Sequence, residues 1–148
     1  MNFNGMSESE GLLERIAGLD ISRGMERFGG NENIYMGMLR SYTLITPAFI
    51  EAIREISVNY LPEISSKVHG IKWASRSICA DDVGNKAEAL ELAAKAGDID
   101  YFTKHCEAFL DAAWQLVFEI NETLFRINMR GKPDQEYYES LPGNEQFI

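Results

Sequence analysis

Phe102, Cys106, Phe109, Ala113, Leu116, Ile120, Leu124 and Ile127 form a stripe in which each residue follows the last by three or four positions. Over so long a run, only an α-helix returns side chains to one face at this spacing. The stripe is narrow, so the helix it predicts buries one face and leaves the rest to water. Asp98 and Asp100 both stand where an N-cap is needed.

Three more segments share the period. From Asn31 onward, Ile34, Met38, Leu39, Tyr42, Ile45, Phe49, Ile53 and Ile56 mark one helix, with Pro47 inside it predicting a kink or a break. Leu61, Ile64, Val68, Ile71, Ser75 and Ile78 mark another, with Pro62 suited to its first turn. A third runs through KAEALELAAKA and stops at Gly97, a natural left-handed cap. Ahead of these, LLERIAG and DISRGMERFGG read as one or two short helices, punctuated by Gly18 and Gly29-Gly30. No strand-like alternation and no repeat is present. The expected fold is all-α: an antiparallel four-helix bundle over residues 11–130 with a short N-terminal helical cap. Residues 1–10 read as a flexible N-terminus. Residues 131–148 read as a polar tail, whose Tyr137 and Tyr138 either pack back or meet a partner.

Charge and composition narrow the function. With 14 basic and 23 acidic residues the net charge is −9, which argues against nucleic acid as a partner. No apolar run is long enough to span a bilayer, and the opening MNFNGMSESE lacks the cationic start and apolar block of a signal peptide. A cytoplasmic monomer with no membrane contact is the expectation. Cys79 and Cys106 are isolated and read as reduced thiols. Asp98 and Asp100 open like a calcium loop, but the sixth position lacks glycine and the twelfth is Phe109. His105, at the edge of the long stripe, reads as a cap on the core. Without an HxxxH or ExxH pair, a di-metal site is not expected. Neither metal nor cofactor is assigned to the chain.

The other histidine lies in KVHGIKWASRSICA. Each helical residue turns about 100°, so with Ile64 at zero the core stripe clusters within about 40° of it. On the same count His69 falls near ~140°, Arg76 near ~120°, Lys72 near ~80° and Trp73 near ~180°. His69 therefore faces water, with Lys72 and Arg76 on its own strip. A surface histidine with no role is one reading. The other is chemical: an open imidazole is a nucleophile at neutral pH, and two nearby cations suit a phosphoryl group.

The stretch VHGIKWASRSICADDVGNKAEALELAAKAGD resembles the signature of histidine-containing phosphotransfer (HPt) domains. Val68, His69, Ile71, Lys72, Ser75, Ile78 and Ala80 fit its first block, and Leu90, Glu91, Ala93, Ala94, Gly97 and Asp98 its second. The upstream GLDISRGMERFGGNENIYMGMLRSY is similar to the family's opening segment. The resemblance spans roughly residues 18 to 125. It implies a four-helix bundle that carries a phosphoryl group between response-regulator receiver domains, fed in some systems by a hybrid histidine kinase. On this reading His69 is the phosphoacceptor, Lys72 neutralises the phosphoryl oxygens, and Arg76 adds charge. Glu91 orients the imidazole through its other ring nitrogen. Magnesium and the acidic pocket belong to the receiver. The chain is then a stoichiometric carrier and not a turnover enzyme.

Two positions depart from the family. The glycine one turn after the histidine is Trp73 here, and a later glycine is Cys79. Gly70 stands beside the histidine and opens space on the side away from Lys72. Trp73 and Gly70 are thus the candidate docking positions. Trp73 is read as an anchor for a special receiver, as a plug, which would leave an HPt-like scaffold that binds without being phosphorylated, or as a bystander lying flat over neighbouring side chains of its helix.

Overall fold

A computed structural model of the chain describes residues 7–129. Among these residues every regular element is helical: α1 (Glu8–Leu13), α2 (Ile21–Arg27), α3 (Glu32–Glu55), a single 3-10 turn (Val58–Tyr60), α4 (Leu61–Ser77), α5 (Asp81–Ala96) and α6 (Ile99–Met129). The all-α class holds. The region read as a C-terminal tail lies outside the described residues. At the other end α1 begins at Glu8, inside the stretch read as a flexible start.

α6 obeys its stripe. Phe102, Phe109, Ala113, Leu116, Ile120 and Leu124 are buried, joined by Leu110 and Val117. The choice between its two caps goes to Asp98, whose Oδ1 accepts from the Tyr101 N–H at 3.0 Å. α5 starts five residues earlier than the alanine-rich run suggests, at Asp81, and ends at Gly97 with φ 73°. A Cβ at Gly97 would meet no neighbour, so only its left-handed backbone demands glycine. Gly97→Ala is expected to cost about 1 kcal/mol in urea unfolding. An unchanged midpoint would contradict that conformational reading.

α3 decides against a break at Pro47 and corrects the expected buried face. It runs unbroken through Pro47. The loss of one ladder hydrogen bond there is outweighed by a core face that continues on both sides, with Tyr42, Thr43, Thr46, Ile50 and Ile53 all buried. The buried face is also rotated from the expected one. Ile34 and Ile45 are 50% and 48% exposed, while Tyr35, Thr46 and Ile50 point inward. Tyr35 enters the core with a partner for its hydroxyl, which donates to the Ile78 carbonyl at 2.8 Å, and the Tyr42 hydroxyl lies 3.0 Å from that of Ser75. A tyrosine with a buried partner belongs to the core as fully as an isoleucine.

Packing follows chain order. α3 lies on α4, α4 on α5, α5 on α6, and α6 closes back on α3. α1 leans on α6 and α2 on α3. The turn from α4 to α5 is fixed by two bonds, Ala80 N–H to the Ser75 carbonyl at 2.9 Å and Cys79 N–H to that of Arg76 at 3.1 Å. This pairing needs a left-handed residue between the helices, and Cys79 supplies it with φ 64°. The HPt pattern has glycine at that place, which is the residue this backbone favours.

Candidate functional site

α4 presents its functional side chains because its core stripe is fixed. Ile64, Val68, Ile71, Ser75 and Ile78 are all buried, as the angular count requires. Cross-helix pairs then set the neighbours. Arg76 meets Glu88 and Lys72 meets Glu91, so residue numbers fall along α4 as they rise along α5. The two helices are antiparallel, and the middle of α4 faces the middle of α5.

At that meeting point a single buried carboxylate binds two cationic or potentially cationic groups. Glu91 is 3% exposed. Its Oε2 is hydrogen-bonded to Nδ1 of His69, and its Oε1 accepts from Nζ of Lys72 at 2.7 Å. Nζ of Lys95, one turn along α5, stands 3.7 Å from Oε1. Burial alone would push the Glu91 carboxyl up. The hydrogen bonds from Lys72 and His69 outweigh it and hold the group below the usual carboxylate range. Glu91 is therefore ionised at neutral pH and accepts at both oxygens. His69 must then carry its hydrogen on Nδ1, which leaves the lone pair of the neutral ring on Nε2. The His69 side chain remains 47% exposed.

The structure brings His69, Lys72, Glu91 and Trp73 together and sends Arg76 and Gly70 to other tasks. Lys72 is not on the wet strip: its side chain is 10% exposed and committed to Glu91. The count near ~80° sits at the margin of the core face, and α5 covers that margin. Arg76 also is no loose charge. Its guanidinium bonds Glu88 at 2.7 Å, its carbonyl accepts from Arg27, and its stem lies over Gly84. Gly70 does not leave space beside the histidine. The ring of Phe49, from α3, fills it, and a Cβ there would stand 2.8 Å from Cζ of that ring. Trp73 is 55% exposed, its ring edge-on to His69 at 6.1 Å between centroids and 72° between planes. Nζ of Lys72 lies 5.5 Å from the indole centroid.

No family model, curated protein or solved structure matches this chain. The functional reading therefore stands on its residues and their arrangement.

Sequence reasoning missed Phe49 and Lys95. Lys95 was legible as a cation four residues after Glu91 on one helix. Phe49 was legible as an apolar position of α3, but its place against Gly70 was not, because filling a glycine notch depends on which helices pack. His105 also differs from expectation. It is exposed, with its ring 4.2 Å from that of Tyr101, and does not cap the core. Among the described residues no three His, Cys, Asp or Glu side chains are placed to hold a metal ion. Burial pushes the Cys106 thiol up to about 11, so it stays protonated at neutral pH. No helix among the described residues is long and apolar enough to cross a membrane.

Proposed function

We propose that the chain is an HPt protein of the phosphorelay type, built on an antiparallel four-helix bundle formed by α3 to α6. His69 accepts a phosphoryl group from a receiver aspartate and passes it to another receiver. The observation that carries this reading is the Glu91–His69 bond. It fixes the tautomer and turns Nε2, the nucleophilic nitrogen, toward the accessible side. In the transfer the Nε2 lone pair attacks phosphorus, the P–O bond to the aspartate breaks, and the carboxylate leaves. Nδ1 keeps its hydrogen toward Glu91, which stabilises the positive charge that develops on the ring. Lys72 offsets the buried carboxylate, so that His69 shares Glu91 with a second cation.

Every group this step needs from the chain is a side chain. Magnesium is placed in the receiver, and the chain acts as a monomeric cytoplasmic carrier with a hybrid kinase or a free receiver upstream. The test is a labelling experiment with receivers carrying radioactive aspartyl phosphate. The wild type should acquire an acid-labile, base-stable label, the behaviour of a phosphorus–nitrogen bond. His69→Gln should lose it entirely while remaining folded, with a melting temperature lowered by no more than the exchange of one hydrogen bond to Glu91 allows. Persistent label in this variant would place the acceptor elsewhere. Failure of the wild type to label with any receiver or small phosphoryl donor would favour the unphosphorylated scaffold.

A further inference from the structure

Trp73 is the residue for which folding gives least reason. It faces away from the core and keeps 55% of its surface in water. It also borders the reactive nitrogen. With ring centroids 6.1 Å apart, a protein domain that covers His69 meets the indole as well.

Three readings of the indole make different demands on the geometry. A plug would lie across the imidazole and hide it. Trp73 instead stands at 72° to that ring, and the His69 side chain keeps 47% of its exposure. A bystander would be held by nothing. Trp73 rests against the ammonium of Lys72 at 5.5 Å, and Lys72 is in turn fixed by Glu91. An anchor would be large, apolar, half-exposed and beside the histidine, and this describes the residue. Rigid aromatic side chains give contact area at small entropic cost.

The surface around it continues the theme. Tyr42 pairs with Ser75 and Phe49 packs on Gly70, so Ile45, between Tyr42 and Phe49, comes level with the turn of α4 that holds Trp73. Ile45 is 48% exposed. Each of the two helices therefore carries one exposed apolar side chain at this level, Ile45 on α3 and Trp73 on α4.

Resting on the phosphotransfer reading above, we infer that Trp73 is a specificity residue: it admits receivers that carry an apolar recess beside their phosphoaspartate and turns away those that are flat or convex there. Glycine at this position would accept either shape. An indole excludes one and gains contact with the other, which is how a single residue both attracts and rejects.

The experiment compares wild type, Trp73→Ala and Trp73→Gly with two kinds of donor. Phosphoramidate is small enough to reach Nε2 without docking. Its phosphorus–nitrogen bond breaks, ammonia leaves, and the new bond forms to Nε2. All three proteins should label from it at rates within about twofold of each other, as expected for a surface change. The second kind is a panel of receiver domains phosphorylated on aspartate with acetyl phosphate. The receiver the wild type prefers should transfer about 30-fold more slowly to both variants, the effect of removing a hot-spot anchor. Receivers that the wild type refuses should transfer faster to Trp73→Gly. The alanine variant separates loss of the indole from the helix cost of glycine. An unchanged ranking of receivers across the three proteins overturns the inference and leaves phosphotransfer intact. So does a uniform rise with every receiver, which would make the indole a plug. A wild type that labels from phosphoramidate but from no receiver overturns it too. If neither donor labels the wild type, His69 is not an acceptor and the functional proposal fails first.

Discussion

Glu91→Ala is expected to cost the protein at least about 3 kcal/mol of folding stability, the loss that follows when one partner of a buried ion pair is removed. The substitution leaves the Lys72 ammonium under α5 with its 2.7 Å acceptor gone. Urea unfolding of the variant beside Lys72→Met/Glu91→Ala provides the check. If the double variant recovers most of the loss, the stranded ammonium is the cause. A single variant within 1 kcal/mol of wild type, on the scale of an ordinary surface substitution, would mean that the ion pair is not structurally significant.

Glu91→Gln is gentler in volume and more informative in chemistry. One amide oxygen cannot accept from both Nδ1 of His69 and Nζ of Lys72. If the oxygen faces Lys72, the amide N–H₂ meets Nδ1 and forces the hydrogen to Nε2, removing the lone pair. Phosphoramidate labelling of His69 should then slow at least tenfold, the usual scale for a misplaced proton. The acid limb of stability should change as well. The Glu91 carboxyl titrates lower in the folded chain than in the unfolded one, first opposed by burial and then carried down by Lys72 and His69. Its contribution is therefore complete above the unfolded value of about 4.3 and disappears as pH falls through the lower folded value. Glu91→Gln should show a flatter curve over that window. Parallel curves for the two proteins would assign the acid loss to other carboxylates.

Gly24→Ala should destabilise the protein by about 2 kcal/mol, against the direction of helix propensity. Gly24 lies in α2, where a Cβ would come within 2.6 Å of the hydroxyl of Tyr35 and would collide with Cζ and Cε1 of its ring. That ring cannot swing aside. It is fully buried, its hydroxyl is bonded to the Ile78 carbonyl at 2.8 Å, and Phe28 stacks on it at 6.0 Å. Gly11→Ala is the matched control, since a Cβ at Gly11 in α1 meets nothing. It should be neutral or gain up to about 1 kcal/mol. Equal melting temperatures for the two variants would show that α2 yields where Tyr35 does not.

The parts of this architecture that could be read in advance are those set by one helix at a time. The buried stripe of α6, the core register of α4 and the left-handed cap at Gly97 depend on period and backbone conformation, which are local. What escaped the sequence depends on which helix lies next. Lys72 and Arg76 looked like free cations because their angular positions were known and the carboxylates of α5 opposite them were not. Ile34 looked like core because apolar character was counted before hydrogen-bond partners. Tyr35 took that place once Ile78 offered it a carbonyl. At the candidate site, the resemblance to HPt domains implied Glu91 as the partner of His69. Its second bond, to Lys72, came only from the packing of α4 on α5.

Trp73 and Trp114 are the chain's two tryptophans, both about half in water, and they stand on α4 and α6, helices that each pack on α3 and α5. Their light therefore reports on two separate surfaces. A protein that covers His69 removes water from one indole and leaves the other as an internal optical reference. The emission of the native chain should shift to the blue by a fraction only, while Trp114→Phe makes the same event dominate the whole spectrum. An association at the α6 side reverses the pattern, so the intrinsic fluorescence of this protein can tell which of its faces a ligand has found.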